Sequence, residues 1–113
     1  MTHAKESHAT FTGISGQLAV MGELLHLKCN AAIPLVDVGT DVFAFRDDSE
    51  DVARIQVKTA TGKIYRDGSG YGAKFSIPLK QLRHADDPPL FYALAVRLDT
   101  GCSSFIVISR AKL

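Results

Sequence analysis

Residues 39–60, "GTDVFAFRDDSEDVARIQVKTA", decide how this chain is read. Val42, Phe43 and Phe45 form one run of strand-forming residues, and Val52, Ile55 and Val57 form a second. The charged "RDDSED" of residues 46–51 lies between them. Two such runs around a polar connection predict an antiparallel hairpin over Asp41–Phe45 and Ala53–Thr59. A connection symmetric about Asp48 and Ser49 sets Asp41 opposite Gln56. Side chains alternate along a strand, so Gln56 and Lys58 share one face while Ile55 and Val57 share the other. Asp41, Gln56 and Lys58 then become directly opposed or diagonal neighbours. A slip of one residue would turn Lys58 into the core, so the pattern supports its own register.

Polar groups at such positions are costly unless they are used. An unpaired buried polar group costs on the order of 1–3 kcal/mol, and an unpaired charge costs more. Two readings meet that cost. In one, Asp41 and Lys58 form an ion pair at one end of the sheet with Gln56 hydrogen-bonded alongside. In the other they form a site for Mg²⁺ (or Mn²⁺), which takes oxygen ligands from one or two carboxylates, waters and a substrate phosphate. Asp41 would give the carboxylate, Gln56 an amide oxygen and Val57 its main-chain carbonyl. Lys58 would stabilise charge on the phosphate or help deprotonate an attacking water.

The rest of the chain sets the frame. At 113 residues, 46% hydrophobic and 22% charged, it has the size and composition of a single soluble globular domain, residues 13–113. No run is long and apolar enough to span a bilayer, and "MTHAKESHAT" has no signal-peptide core, so residues 1–12 are expected to be a polar, frayed tail. Cys29 and Cys102 stand far apart with no metal-ligand spacing; they read as reduced, packed thiols of a cytoplasmic protein. His3, His8, His26 and His84 form no metal pattern.

Charge is segregated along the chain. Asp37, Asp41, Asp47, Asp48, Glu50 and Asp51 face only Arg46 in residues 37–51, whereas Arg54, Lys58, Lys63, Arg66, Lys74, Lys80 and Arg83 face only Asp67 in residues 54–83. This can hold an anionic polymer beside an acidic metal patch, or it can describe two oppositely charged surface loops.

Ile14, Leu18, Met21 and Leu25 recur at helical spacing, predicting an amphipathic helix over residues 14–29 with Thr12 as N-cap. Ala31–Leu35 reads as extended. Ile64–Tyr65 and Lys74–Ile77 fit a second hairpin around "RDGSGYG", "PLKQLRH" a short helix opened by Pro78, and Phe91–Leu98 and Ser104–Ser109 two further strands. The expected class is α/β or α+β: one mixed sheet with few helices.

The blocks "GISGQLAVMGELL", "AAIPLVDVGTDVF", "ARIQVKTA" and "FYALAVRL…FIVISRAKL" resemble, in this order and over residues 13–113, the PD-(D/E)xK nuclease superfamily, and within it small bacterial domains with QxK in place of ExK. The resemblance implies a restriction-endonuclease-like αβββαβ core: a central mixed sheet flanked by a long first helix and a short second helix, with residues 60–77 as a basic, turn-rich insertion. It places the superfamily's aspartate on Asp41, its lysine on Lys58, the usual second glutamate on Gln56 and a frequent first-helix glutamate on Gln17. Two frequent carboxylates are thus amides here. Some homing endonucleases of the superfamily cut DNA with glutamine at the second position.

The implied activity is Mg²⁺-dependent hydrolysis of phosphodiester bonds in DNA. Asp41, Gln56, Lys58 and Gln17 would be the catalytic set, and Asp41, Gln56 and Val57 the metal ligands. Lys63, Arg66, Tyr71 and Lys74 would contact the nucleic-acid backbone. Cutting both strands needs two active sites, which suits a homodimer or homotetramer. The alternative is a catalytically inactive module of the same fold that binds nucleic acid or a protein partner. A small-ligand site finds little support, because "GSGYG" has neither the spacing nor the following helix of a phosphate-binding fingerprint.

Overall fold

The computed structural model describes residues 2–36, 39–83, 89–99 and 103–113. Asp37, His84 and Cys102 lie outside the described residues, as do the side chains of His3 and His8. In chain order come helix α1 (Thr2–His26), strands β1 (Asn30–Ala32), β2 (Val42–Phe45), β3 (Val52–Thr61), β4 (Lys63–Ile64) and β5 (Tyr71–Gly72), and helix α2 (Leu79–Leu82). Strands β6 (Leu90–Arg97) and β7 (Ser103–Ser109) follow, and a 3₁₀ turn over Arg110–Lys112 ends the chain.

The hairpin forms in the expected register: Val42 pairs with Ile55, Phe43 with Arg54, Ala44 with Ala53 and Phe45 with Val52. β1 adds to the other edge of β2, antiparallel. β6 lies parallel to β3 along its length, from Arg54↔Leu90 to Thr61↔Arg97, and β7 closes the sheet antiparallel to β6. The five strands run in the order β1-β2-β3-β6-β7, a mixed sheet as expected. β6 reads as a nearly continuous apolar run because it is central and covered on both faces. Among the described residues no helix is long and apolar enough to cross a membrane.

Two features of α1 depart from expectation. It begins at Thr2, so the segment expected as a frayed tail is its first turns; residues 2–12 contain Ala, Lys and Glu and no glycine or proline. Thr12 is therefore interior rather than an N-cap, and its carbonyl accepts the Ser15 hydroxyl at 2.8 Å. The second departure is which face is buried. Val20 joins Val42, Ile55, Ala93 and Ala95 in the core, with Met21 and Leu24 packed against it. Ile14, Leu18 and Leu25, which with Met21 define the apolar spacing in the sequence, are half exposed or more, as is Phe11. The approach is close at Gly16, where a Cβ would sit 1.9 Å from the Thr59 hydroxyl oxygen, and the side turned to the sheet is the one that carries Gly16, Val20, Met21 and Leu24. The helix ends in a Schellman motif, with Cys29 N–H on the Leu24 carbonyl, Lys28 N–H on the Leu25 carbonyl and Lys28 at φ 67°.

The connection from β3 to β6 holds the insertion. Its hairpin pairs Lys63 with Gly72 and Ile64 with Tyr71, not residues 74–77 as expected. Gly68 and Gly70 take positive φ, and the Asp67 carboxylate accepts both the amide and the hydroxyl of Ser69. These bonds hold the Asp67 carboxyl below its usual range. The tight turn is thus stabilised locally, and it closes before residue 74 can pair. α2 follows Pro78 as expected but is a single turn, Leu79–Leu82.

Candidate functional site at the fork between β2 and β3

β3 has ten residues and β2 only four, so β3 runs on past its partner. The regular ladder stops at Val42↔Ile55, one rung short of the expected Asp41–Gln56 pair. Instead the Asp41 N–H donates to the Ile55 carbonyl at 2.9 Å. Asp41 and Val42 therefore both address Ile55 where the ladder ends. The Asp41 side chain continues along the β3 edge, where Oδ2 accepts the Val57 N–H at 2.8 Å. Main chain and side chain of Asp41 thus bracket Gln56.

The Asp41 carbonyl is held from α1. Gln17 Nε2 donates to it at 2.9 Å, both groups being partly buried. Gln17 points at the sheet because Met21 and Leu24, four and seven residues on, pack against the core. Glu23, six residues on, is exposed and is no substitute.

Gln56 and Lys58 leave β3 on the other side. Ile55 packs with Val20 under α1, so alternation sends residues 56 and 58 to the face away from α1. There they stand beside their β6 partners Tyr92 and Leu94. Both are half-buried, like Gln17, Asp41 and Val57. The candidates thus lie around one end of the β2–β3 pairing but, against expectation, do not share one face. Gln17 approaches over α1's side, Asp41 and the Val57 main chain lie in the edge, and Gln56 and Lys58 emerge opposite.

That face is braced by a polar network. Tyr92 is fully buried and its hydroxyl donates to Gln81 Oε1 at 3.4 Å, while Arg110 donates to the Gln81 carbonyl at 3.5 Å. Burial pushes the Tyr92 phenol up, partly opposed by the nearby Arg110 charge. Nothing in the sequence marks Gln81; it becomes visible only when α2 is laid on the sheet.

The oxygen donors at the edge suit a hard dication. A strand residue directs its N–H and C=O to the same side, so the Val57 carbonyl emerges beside the carboxylate that holds its N–H. A carboxylate has about four acceptor sites, and Val57 takes one of Asp41's. Among the described residues no group of three or more His, Cys, Asp or Glu side chains is placed to hold a metal. The edge therefore offers one carboxylate and one carbonyl, and the Gln56 amide stands on the face away from α1.

The basic insertion lies beyond the end of β3. Lys63 and Lys74 line a groove of about 660 Å³ with Ala60, Thr61, Ile64, Tyr65, Gly72 and Ala73. Arg66 is exposed at the tip. Tyr71 is less available than expected, because its hydroxyl is hydrogen-bonded to the Ser104 hydroxyl on β7. Tyr65, not singled out from sequence, is the aromatic that lines the groove; its position just before the "RDG" turn is the only signal it carries.

Comparison with family models, with curated proteins and with solved structures finds no match.

Proposed function

We propose that this chain is a divalent-cation-dependent endonuclease that hydrolyses phosphodiester bonds in DNA, built on a restriction-endonuclease-like core. The observation that carries the reading is the way Asp41 caps the free edge of β3: its carboxylate is held by the main chain between Gln56 and Lys58. The helix, three-stranded meander, crossover and parallel strand also follow the αβββαβ order implied by the sequence resemblance.

The residues fit Mg²⁺ in donor type: Asp41, the Val57 carbonyl and the Gln56 amide oxygen are the hard oxygens it takes, with waters and substrate phosphate completing its shell. A dication bound there supplies Lewis acidity to the phosphate. The chain's own residues do the rest. Asp41 is fixed on both sides, its carboxylate by Val57 N–H and its carbonyl by Gln17, so the anionic centre is preorganised. Lys58, half-buried at the same fork, brings an ammonium to the charge that develops on the phosphate, a role worth about 10²–10³ in rate where a single donor has been removed. Lys63 and Lys74 attract the polyanion along the groove, with Tyr65 beside them as a stacking surface.

A second reading, a module that binds nucleic acid without cutting it, draws on Gln17. Its amide is spent on a backbone carbonyl, the role of a brace. One experiment separates the two. Supercoiled plasmid is incubated with wild type, Asp41→Asn and Lys58→Ala in Mg²⁺ or Mn²⁺, and binding is measured in parallel by fluorescence anisotropy. Metal-dependent nicking by wild type that both variants lose is the expected result. Binding without nicking establishes the module, and equal nicking by all three proteins removes the fork from the chemistry.

A further inference from the structure

The outer face of α1 carries a row of exposed apolar side chains. Phe11 is 72% exposed, Ile14 50%, Leu18 56% and Leu25 56%, and with Met21 they recur three and four residues apart. On an ideal helix these five lie within a stripe about 80° wide, and Leu18 stands about 160° from Val20, which faces the core. Helix α1 is therefore apolar on two opposite sides, and the sheet covers only one.

We propose that this stripe is a homodimer interface in which α1 packs antiparallel against α1 of a second copy, about a two-fold axis at Leu18. The spacing is that of a helix–helix seam. An antiparallel two-fold there sets Phe11 against Leu25 of the second copy and Ile14 against its Gly22. The second pairing is large against small: Gly22 is exposed, and a Cβ built on it meets nothing within 4 Å. It leaves a hole where the opposing isoleucine arrives. The flanks of the stripe, Thr10, Ser15, Gly22 and His26, carry no carboxylate or lysine, so two copies meet without like charges opposed.

The area argues for a second copy. With side-chain areas near 200 Å², the exposed parts of the four large residues amount to roughly 450 Å² per copy, within the range of about 300–600 Å² for the largest patch of a monomer and often functional. Two copies bring about 900 Å² of apolar surface together before their flanks are counted, which approaches the 1,200–2,000 Å² or so of stable interfaces. From Phe11 to Leu25 the seam is about 21 Å long. None of this depends on the chemistry proposed for the fork, which lies across the sheet edge.

Sedimentation velocity of the full chain over the micromolar range tests the proposal. Wild type is expected to sediment as a dimer. Leu18→Glu, which apposes two carboxylates at the axis, is expected to raise the dissociation constant about 100-fold or more, and Gly22→Leu, which fills the hole, to weaken the dimer without unfolding the helix. Circular dichroism checks that both variants remain folded. Orientation is read from mixing Phe11→Cys with Leu25→Cys, each in a Cys29→Ser, Cys102→Ser background: the mixture, and neither protein alone, forms the cross-linked species. A wild type that stays monomeric, a dimer that survives Leu18→Glu, or cross-linking of Phe11→Cys with itself overturns the arrangement.

Discussion

Asp41 holds the strand beside it: its Oδ2 accepts the Val57 N–H at 2.8 Å, taking the place of a main-chain acceptor where β2 has ended. The same carboxylate is the only anionic donor proposed for the fork, so it has a structural duty and a chemical one. The two separate by substitution. Asp41→Asn keeps an acceptor oxygen for Val57 and is expected to unfold within about 1 kcal/mol of wild type, whereas Asp41→Ala leaves a partly buried N–H unpaired and should cost about 1–3 kcal/mol. Urea unfolding of both variants checks this. An Asp41→Asn that is folded yet inactive assigns the charge to chemistry, and an Asp41→Ala as stable as Asp41→Asn removes the structural duty.

Gly16 lies close on Thr59, where a Cβ would be 1.9 Å from Oγ1 and 2.8 Å from Cγ2. Alanine favours a helix by about 0.5–1 kcal/mol over glycine, but here overpacking, typically about 1–3 kcal/mol, wins. Gly16→Ala is therefore expected to destabilise. Thr59→Ala should recover part of the loss in the double variant, because Oγ1 and Cγ2 are two of the three obstructing atoms. Thermal unfolding of the four members of the cycle measures the coupling; additive effects would mean that the two residues do not press on each other.

Much of this was legible in residues 39–60. The apolar runs and the charged connection between them fixed the hairpin register, because Ile55 and Val57 on the wrong face would have exposed the core and buried Lys58. The turn of Asp41 onto the β3 edge was not legible. Its cause is the length of β2, which begins only at Val42 although Thr40 and Asp41 look no less extended in sequence. The buried face of α1 is legible in part. Met21 of the apolar stripe packs on the core with Val20 and Leu24, whereas Ile14, Leu18 and Leu25 do not, because the close approach at Gly16 turns that side of the helix to the sheet. Sequence periodicity detects an apolar stripe; it does not say whether the sheet or another molecule covers it.

Gln17 carries the last prediction, because its amide donates to the Asp41 carbonyl at 2.9 Å and the proposed nuclease reading would have a glutamate there. If the amide were merely a lost carboxylate, Gln17→Glu would be harmless. The geometry says otherwise: an ionised glutamate has no proton to donate, so it would face the carbonyl as one acceptor against another, with the Asp41 charge nearby. Gln17→Glu should lose about 1–2 kcal/mol at pH 7. The new carboxyl is favoured in its protonated form in the folded state, so its folded pKa lies above the unfolded value of about 4.3. The loss is then absent below that unfolded value and grows as pH rises through the folded pKa. Added Mn²⁺ gives the test its second arm. A dication at the fork would neutralise the two carboxylates, so the variant's unfolding midpoint at pH 7 should rise with Mn²⁺ by more than that of wild type. A variant insensitive to Mn²⁺, yet recovering at low pH, would leave Gln17 as a brace and take the dication away from this edge.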